Sequence, residues 1–259
     1  MSTVRYGRRS DEERRNRELE ATSVGIWANV LVATYETDPE VIAAVLPQPL
    51  EPGADPFVRV TIASVEIGGR PPFGAGTIAV HARHEGTEGD YALVMPMTTE
   101  QAVIGGRETF GEPKKLGDVR IDRDGDEIVA SMGRMGTTFV EVRGKVTEPL
   151  PLPEEQRRTS FYFKFLLDPS GKGFDAEPSL VYCYRDESIR LLESVDGTVV
   201  LQESHFDPVA DLPVRRVVDI TYSERRSVQT AEIVSHVPAE WLLPFVHQRY
   251  DDLSPVGTR

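Results

Sequence analysis

The stretch Gly106–Gly117 reads GRETFGEPKKLG. Its adjacent lysines, Lys114 and Lys115, follow a proline on a short segment flanked by glycines, in a chain of formal net charge -13. A solvated turn would account for such a pair. So would a lysine whose amine has to be neutral. An amine attacks a ketone only when unprotonated, and a free lysine is almost wholly ammonium at neutral pH. Removal from water, or a cation close by, favours the neutral form. If the segment is a strand, the two side chains leave it on opposite faces. Only one then enters a pocket, and desolvation outweighs contact between the two amines.

Outward from this segment the chain reads as strands. IWANVLVATYET and FVRVTIASVEI are rich in β-branched residues and alternate in polarity. TIAVHARHEG and DYALVMPM make a strand pair, and GGRPPFGAG a loop. Leu116 to Val146 alternates strand and turn, with RDGDE and GRMG as the turns. SFYFKFLLD, SLVYCYRDESIRLLES, TVVLQESHFD and RRVVDITYSERRSVQTAEIV read as further strands beyond the proline-rich PLPLPEEQRR. Helices are short. One follows Asp38 as N-cap and Pro39 as first residue, and stops at Pro47. A second is expected from about Thr99 to Thr109, opened by a capping box of Thr98 and Gln101. PAEWLLPFVHQRY closes the chain as an amphipathic helix kinked at Pro244. The fold class is mainly β with short helices (α+β), an antiparallel barrel or sandwich. We expect a charged arm over residues 1–22, one domain over 23–253 and a tail over 254–259.

With 39% hydrophobic and 27% charged residues the chain has the composition of a soluble globular protein. The acid excess argues against nucleic acid and against an anionic membrane surface, but leaves room for an anionic small molecule. No apolar run approaches the ~20 residues that span a bilayer, and the charged N-terminus has no secretory character. Cys183 is the single cysteine, which excludes an intrachain disulfide, and a cytoplasmic location is expected. Cys183 itself reads as a small buried hydrophobe. His81, His84, His205, His236 and His247 have no metal-ligand spacing, and the glycines make no dinucleotide or phosphate fingerprint. We expect no metal and no cofactor.

The Gly-Arg-Glu followed by Pro-Lys-Lys-Leu resembles the signature of the acetoacetate decarboxylase family. YETDPEVIAAVLPQPLEP, GDYALVMPM and DPVADLPVRRVV are similar to the family's segments before and after it, in the same order over roughly Leu31 to Tyr250. The resemblance implies a β-barrel-like sandwich, usually oligomeric, and a Schiff-base lyase acting on a keto acid. It makes Lys114 the nucleophile and Lys115 the neighbour that helps keep it neutral. Decarboxylation of a β-keto acid is the first expectation. Aldol or dehydration chemistry on a 2-keto acid, and a non-catalytic ligand-binding role, are the alternatives. The chain departs from the family pattern at two positions: Ala28 and Ala75 stand where the resemblance implies an arginine and a glutamate.

Other candidates surround the lysine. Arg107 and Glu108 of the signature can bind substrate or hold the lysine segment in place. Gln101 can face pocket or solvent. Tyr250 is a candidate general acid or a packing residue. Trp27, Phe73, Met95 and Met97 fall where the resemblance implies a cavity lining, and core packing explains them equally well.

Overall fold

The computed structural model describes residues 4, 6–10, 26–67 and 71–251. Most of the arm expected over 1–22 lies outside these residues, as do the tail over 254–259 and residues 68–70 of the GGRPPFGAG loop. Strand β1 (Ile26–Glu36) leads into helix α1 (Pro39–Val45). Asp38 has the extended backbone of an N-cap, but its carboxylate accepts from Arg215 instead of capping the helix. A two-residue strand, β2 (Glu51–Pro52), then β3 (Phe57–Glu66), β4 (Phe73–His84) and β5 (Thr87–Met97) follow. Strand β4 thus begins inside the stretch expected as loop. Helix α2 (Glu100–Phe110) starts after Thr99 without a side-chain cap. The expected capping box does not form, because Thr98 Oγ1 accepts a hydrogen bond from Gly74 N–H at 2.9 Å.

After β6 (Lys114–Leu116) come β7 (Asp118–Asp124), β8 (Glu127–Arg134), β9 (Thr137–Pro149) and β10 (Gln156–Lys164). The proline-rich segment between β9 and β10 is a connection within one sheet. Strands β11 (Ser179–Leu201) and β12 (Arg216–His236) are long. Two stretches expected as separate strands form β11 as one. The C-terminal helix is broken into α3 (Ala239–Leu242), a 3₁₀ turn (Leu243–Phe245) and α4 (Val246–Arg249). Pro244 lacks the N–H that a continuous helix needs.

The sheet runs β10-β5-β4-β3-β1-β12-β11, and β11 pairs back onto β10, so seven strands close into a barrel. The far half of β11 carries the meander β9-β8-β7 away from this ring. Closure removes the edges of these seven strands, which would otherwise invite pairing.

Strand register sorts the side chains into two faces. Leu31, Tyr35, Val60, Ile62, Ile78 and Val80 share one face and form the main core. They pack with Ile42 and Leu46 near α1 and with Val119, Ile128 and Met132 of the meander. The meander and the region of α1 lie against this face from outside the ring, so the alternate residues face its interior. That inner face holds Ala28, Val30 and Val32 on β1, opposite Val65, Ala63 and Thr61 on β3. Ala63 is opposite Ala75 of β4, and Ala75 is opposite Met97 of β5. A barrel of this size is filled by its side chains or holds one small ligand, and a lining of alanines and valines favours the second.

Candidate active site: an internal lysine and its carboxylate

Helix α2 ends at Gly111, whose φ of 80° lies in the left-handed region. Its N–H bonds to Arg107 O at 3.1 Å, and the next N–H, of Glu112, reaches Gly106 O at 3.4 Å. This is the glycine stop expected of a helix C-terminus. It turns the chain so that Pro113 leads into β6, which runs parallel to β5 with Lys114 opposite Met95. Lys114 therefore shares the inner face with Met95, Met97 and Ala75.

The Lys114 side chain is 14% exposed, and its Nζ lies 2.7 Å from Glu112 Oε2. Glu112 is fully buried. Its other oxygen, Oε1, accepts from Arg185 Nη2 at 3.0 Å and Gln229 Nε2 at 3.2 Å. Burial works against the Glu112 carboxylate, but Lys114 and Arg185 together hold its pKa below the ordinary value. The lysine segment was expected to hold a desolvated, neutral amine. The structure sets a buried carboxylate, Glu112, beside that amine. Gly106 makes the pair possible: a Cβ there would fall 2.1 Å from Glu112 Oε2 and 2.7 Å from Lys114 Nζ. The wall beside the pair is apolar. Met95, Met97, Tyr162 and Cys183 are buried there, with Phe73, Val103 and Phe110 packed against them. Cys183 Sγ accepts from Gln229 Nε2 at 3.0 Å, and burial pushes the thiol up to about 11.

Lys115 leaves β6 on the other side. Its Nζ lies 2.8 Å from Asp251 Oδ1 and 3.5 Å from Asp207 Oδ1. Arg134 binds the same two aspartates, with 2.7 Å to Asp207 Oδ2 and 2.7 Å to Asp251 Oδ2. The expected role of Lys115 as a cation working on Lys114 does not fit this geometry. Its charge is spent on a buried quartet that ties β6 to β8, to the loop before β12 and to the C-terminal segment.

The remaining candidates divide by position. Phe73 and Met97 line the interior. Trp27 does not: strand alternation turns it outward from Ala28, and Arg190 stacks on its ring at 4.1 Å. Arg107 binds no open pocket. Its Nη1 donates to Lys114 O and Arg249 O, each at 3.1 Å, and its guanidinium lies 5.0 Å from the Tyr250 ring. It holds the lysine strand against the chain's last helix. Glu108 and Gln101 are exposed on α2. Tyr250 is half-buried, with its ring against Phe165 at 6.2 Å on the outer side of the barrel. It packs there and is not brought to Lys114. Sequence reading missed Glu112, Arg185 and Gln229. Glu112 stood within the signature itself and was read as a spacer. Arg185 and Gln229 sit in ordinary alternating strands with nothing local to mark them.

Among the described residues no group of three His, Cys, Asp or Glu side chains could hold a metal ion, and no helix is long and apolar enough to cross a membrane.

Fold and site define a class: a closed β-barrel built around an internal lysine. Comparison with known proteins gives the family. The family model for acetoacetate decarboxylase matches residues 13–237, and the chain belongs to the acetoacetate decarboxylase family. It is similar to the acetoacetate decarboxylase of Chromobacterium violaceum, 30% identical over 194 residues, 73% of this chain and 78% of that protein. It is also similar to that of Clostridium beijerinckii, 29% identical over 198 residues with the same shares, 73% and 78%. Among solved structures, one of acetoacetate decarboxylase superposes with a TM-score of 0.73 at 20% identity, covering 82% of this chain and 90% of that one. The enduracididine biosynthesis enzyme MppR, complexed with a condensation product of pyruvate, superposes at 0.71 with 17% identity, covering 82% and 89%. These two likenesses concern the fold.

Proposed function

We propose that this chain is a Schiff-base lyase that decarboxylates a β-keto acid through Lys114. The observation that carries the reading is the Lys114–Glu112 pair: an amine beside an apolar wall inside the barrel, with a fully buried carboxylate 2.7 Å away. Family membership and the decarboxylase relatives support it.

The residues supply the steps as follows. A substrate entering the barrel displaces water, and a drier site disfavours both charges of the pair. The proton of the Lys114 ammonium passes to Glu112, which leaves a neutral amine. Lys114 Nζ attacks the ketone carbon, and the carbinolamine loses water to give a protonated imine. The bond between the α-carbon and the carboxylate breaks, CO₂ leaves, and its electron pair moves into the enamine. Glu112 is placed to hold and return the proton. Protonation of the enamine carbon and hydrolysis of the imine release the ketone and restore Lys114. Arg185 and Gln229 fix the Glu112 carboxyl by its second oxygen, so that Oε2 stays aimed at the amine.

The test is decarboxylation of β-keto acids with the product ketone analysed for oxygen exchange. Hydrolysis of an imine places oxygen from water in the ketone, so turnover in ¹⁸O-water should label the product at the rate at which CO₂ is released. Lys114→Met should lose turnover and labelling together. Glu112→Gln, which keeps the shape but takes no proton, should slow turnover by about 10²–10⁴-fold. CO₂ release without label, or full turnover in Lys114→Met, would sink the reading.

A further inference from the structure

Beyond Lys114 the barrel interior holds a second group of charges that the imine chemistry does not use. Arg225 on β12 stands directly opposite Ala28 and is only 7% exposed. Its Nε and Nη2 donate to Ser223 Oγ at 2.9 and 2.7 Å, and its Nη1 lies 3.1 Å from Glu187 Oε2. Arg158 on β10 approaches the same oxygen with its Nε at 3.1 Å. One carboxylate therefore serves two guanidiniums. Arg59 on β3 pairs with Asp90 on β5. Strands β3, β10 and β12 are separated around the ring, yet their arginines act on one another across it. Burial lowers the Arg225 pKa, and Arg158 and Arg59 push the same way against the attraction of Glu187.

Among the described residues, the charges of the interior do not balance. Near Lys114, two cations, Lys114 and Arg185, share one carboxylate, Glu112. At the second group, three arginines face two carboxylates, Glu187 and Asp90. Each group carries one positive charge in excess, inside a protein whose net charge is -13. An uncompensated buried charge is costly. Arg59 and Arg158 are 28% and 34% exposed although they face inward, so solvent reaches this end. The two groups, each one anion short, are neighbours on β10 and β11, where Arg158 stands opposite Arg185, and Ala28, Val30, Ala63 and Val65 form an apolar wall on the same inner face.

We propose that the substrate is a keto acid with a second acidic group, whose departing carboxylate lies by Lys114 and Arg185 and whose retained acid is held by Arg158 and Arg225. The two groups adjoin: Arg158 stands directly opposite Arg185, while Arg225 lies four residues from Gln229 on β12, about 13 Å at the rise of an extended strand. A short keto diacid therefore reaches from Lys114 to Arg158. On decarboxylation the first carboxylate leaves as CO₂, and the product is a keto monoacid still held at the arginine end. This proposal rests on the imine reading of Lys114.

The experiment compares 3-oxoadipate with 3-oxohexanoate, acids of equal length that differ in one terminal carboxylate. CO₂ release is measured for each with the whole chain and with Arg158→Gln and Arg225→Gln. The whole chain should prefer the diacid in kcat/KM by about tenfold or more, the range of a charged hydrogen bond. Either variant should lose that preference by slowing the diacid alone. Arg225 is buried and its variant can fail to fold, so the more exposed Arg158 carries the test. Equal kcat/KM for the two acids in the whole chain, or an equal fall for both in a folded Arg158→Gln, overturns the proposal. Borohydride trapping with the same acids separates the two readings. Adducts on Lys114 with both and no preference overturn this proposal alone. No adduct with either overturns the imine reading and this proposal with it.

Discussion

At the scale of single residues, the signature's glycine, arginine and acidic residues have separate duties. Gly106 leaves room for the lysine–carboxylate pair, Arg107 ties the backbone, and Glu112 meets the amine. Gly106→Ala puts a methyl group where Glu112 Oε2 stands. Glu112 is held by Arg185 and Gln229 and has little freedom to move. We predict a fall in kcat of at least tenfold and a loss of about 1–3 kcal/mol in stability, the range of overpacked sites, read by CO₂ release and urea unfolding. Trp27 is the contrast. It lies outside the barrel, so Trp27→Ala should leave kcat within about twofold of the parent. A large drop would mean that the outer face reaches the site. Lys114 was singled out because its segment, with two lysines behind a proline, resembles the family signature; the lysine pair alone reads equally as a solvated turn. Its carboxylate was not, because a glutamate four residues after another glutamate reads as one more surface charge.

At the scale of elements, alternation exposed nearly every strand, and turn residues placed most of the hairpins. It could not say which face pointed inward. Trp27 and Ala28 differ by one position, and that one position puts the first outside and the second inside. Nor could it join the two halves of β11, since Asp196 and Gly197 look like a turn when read alone. Gly197 is inside the strand, where a Cβ would fall 2.3 Å from Arg143 O. The quartet of Lys115, Arg134, Asp207 and Asp251 joins four elements that lie far apart in the chain. Burial works against the Asp251 carboxylate, and the hydrogen bonds from Arg134 and Lys115 prevail and lower its pKa. A depressed carboxylate gives stability that is complete above the unfolded value, about 3.9, and is lost as pH falls through the folded value. Thermal unfolding should therefore show stability declining below about pH 4. Asp251→Asn should lose about 3 kcal/mol at neutral pH, as expected when one partner of a buried pair is removed, and should show a shallower acid decline. An unchanged acid limb in that variant would assign the decline to other carboxylates.

At the scale of the whole molecule, closure of the barrel creates the site. The pairing of β10 with β11, and the brief parallel contact of β10 with β5, bring Arg185 and Gln229 round to Glu112. Short helices and many strands pointed to a barrel or a sandwich, but long-range pairing leaves little trace in local sequence, so the choice between them was not legible. The acid excess is carried outside, while the interior is positive. Under the proposed reading, this positive interior would draw in an anionic keto acid. The central claim is that Lys114 forms the imine. The most direct test is to mix the protein with acetoacetate and 3-oxoadipate, add borohydride, and map the modified peptide by mass. The account predicts one stable adduct, on Lys114, that disappears in Lys114→Met and does not move to Lys115. A folded protein that gives no adduct, or one that is labelled on Lys115 instead, would contradict it.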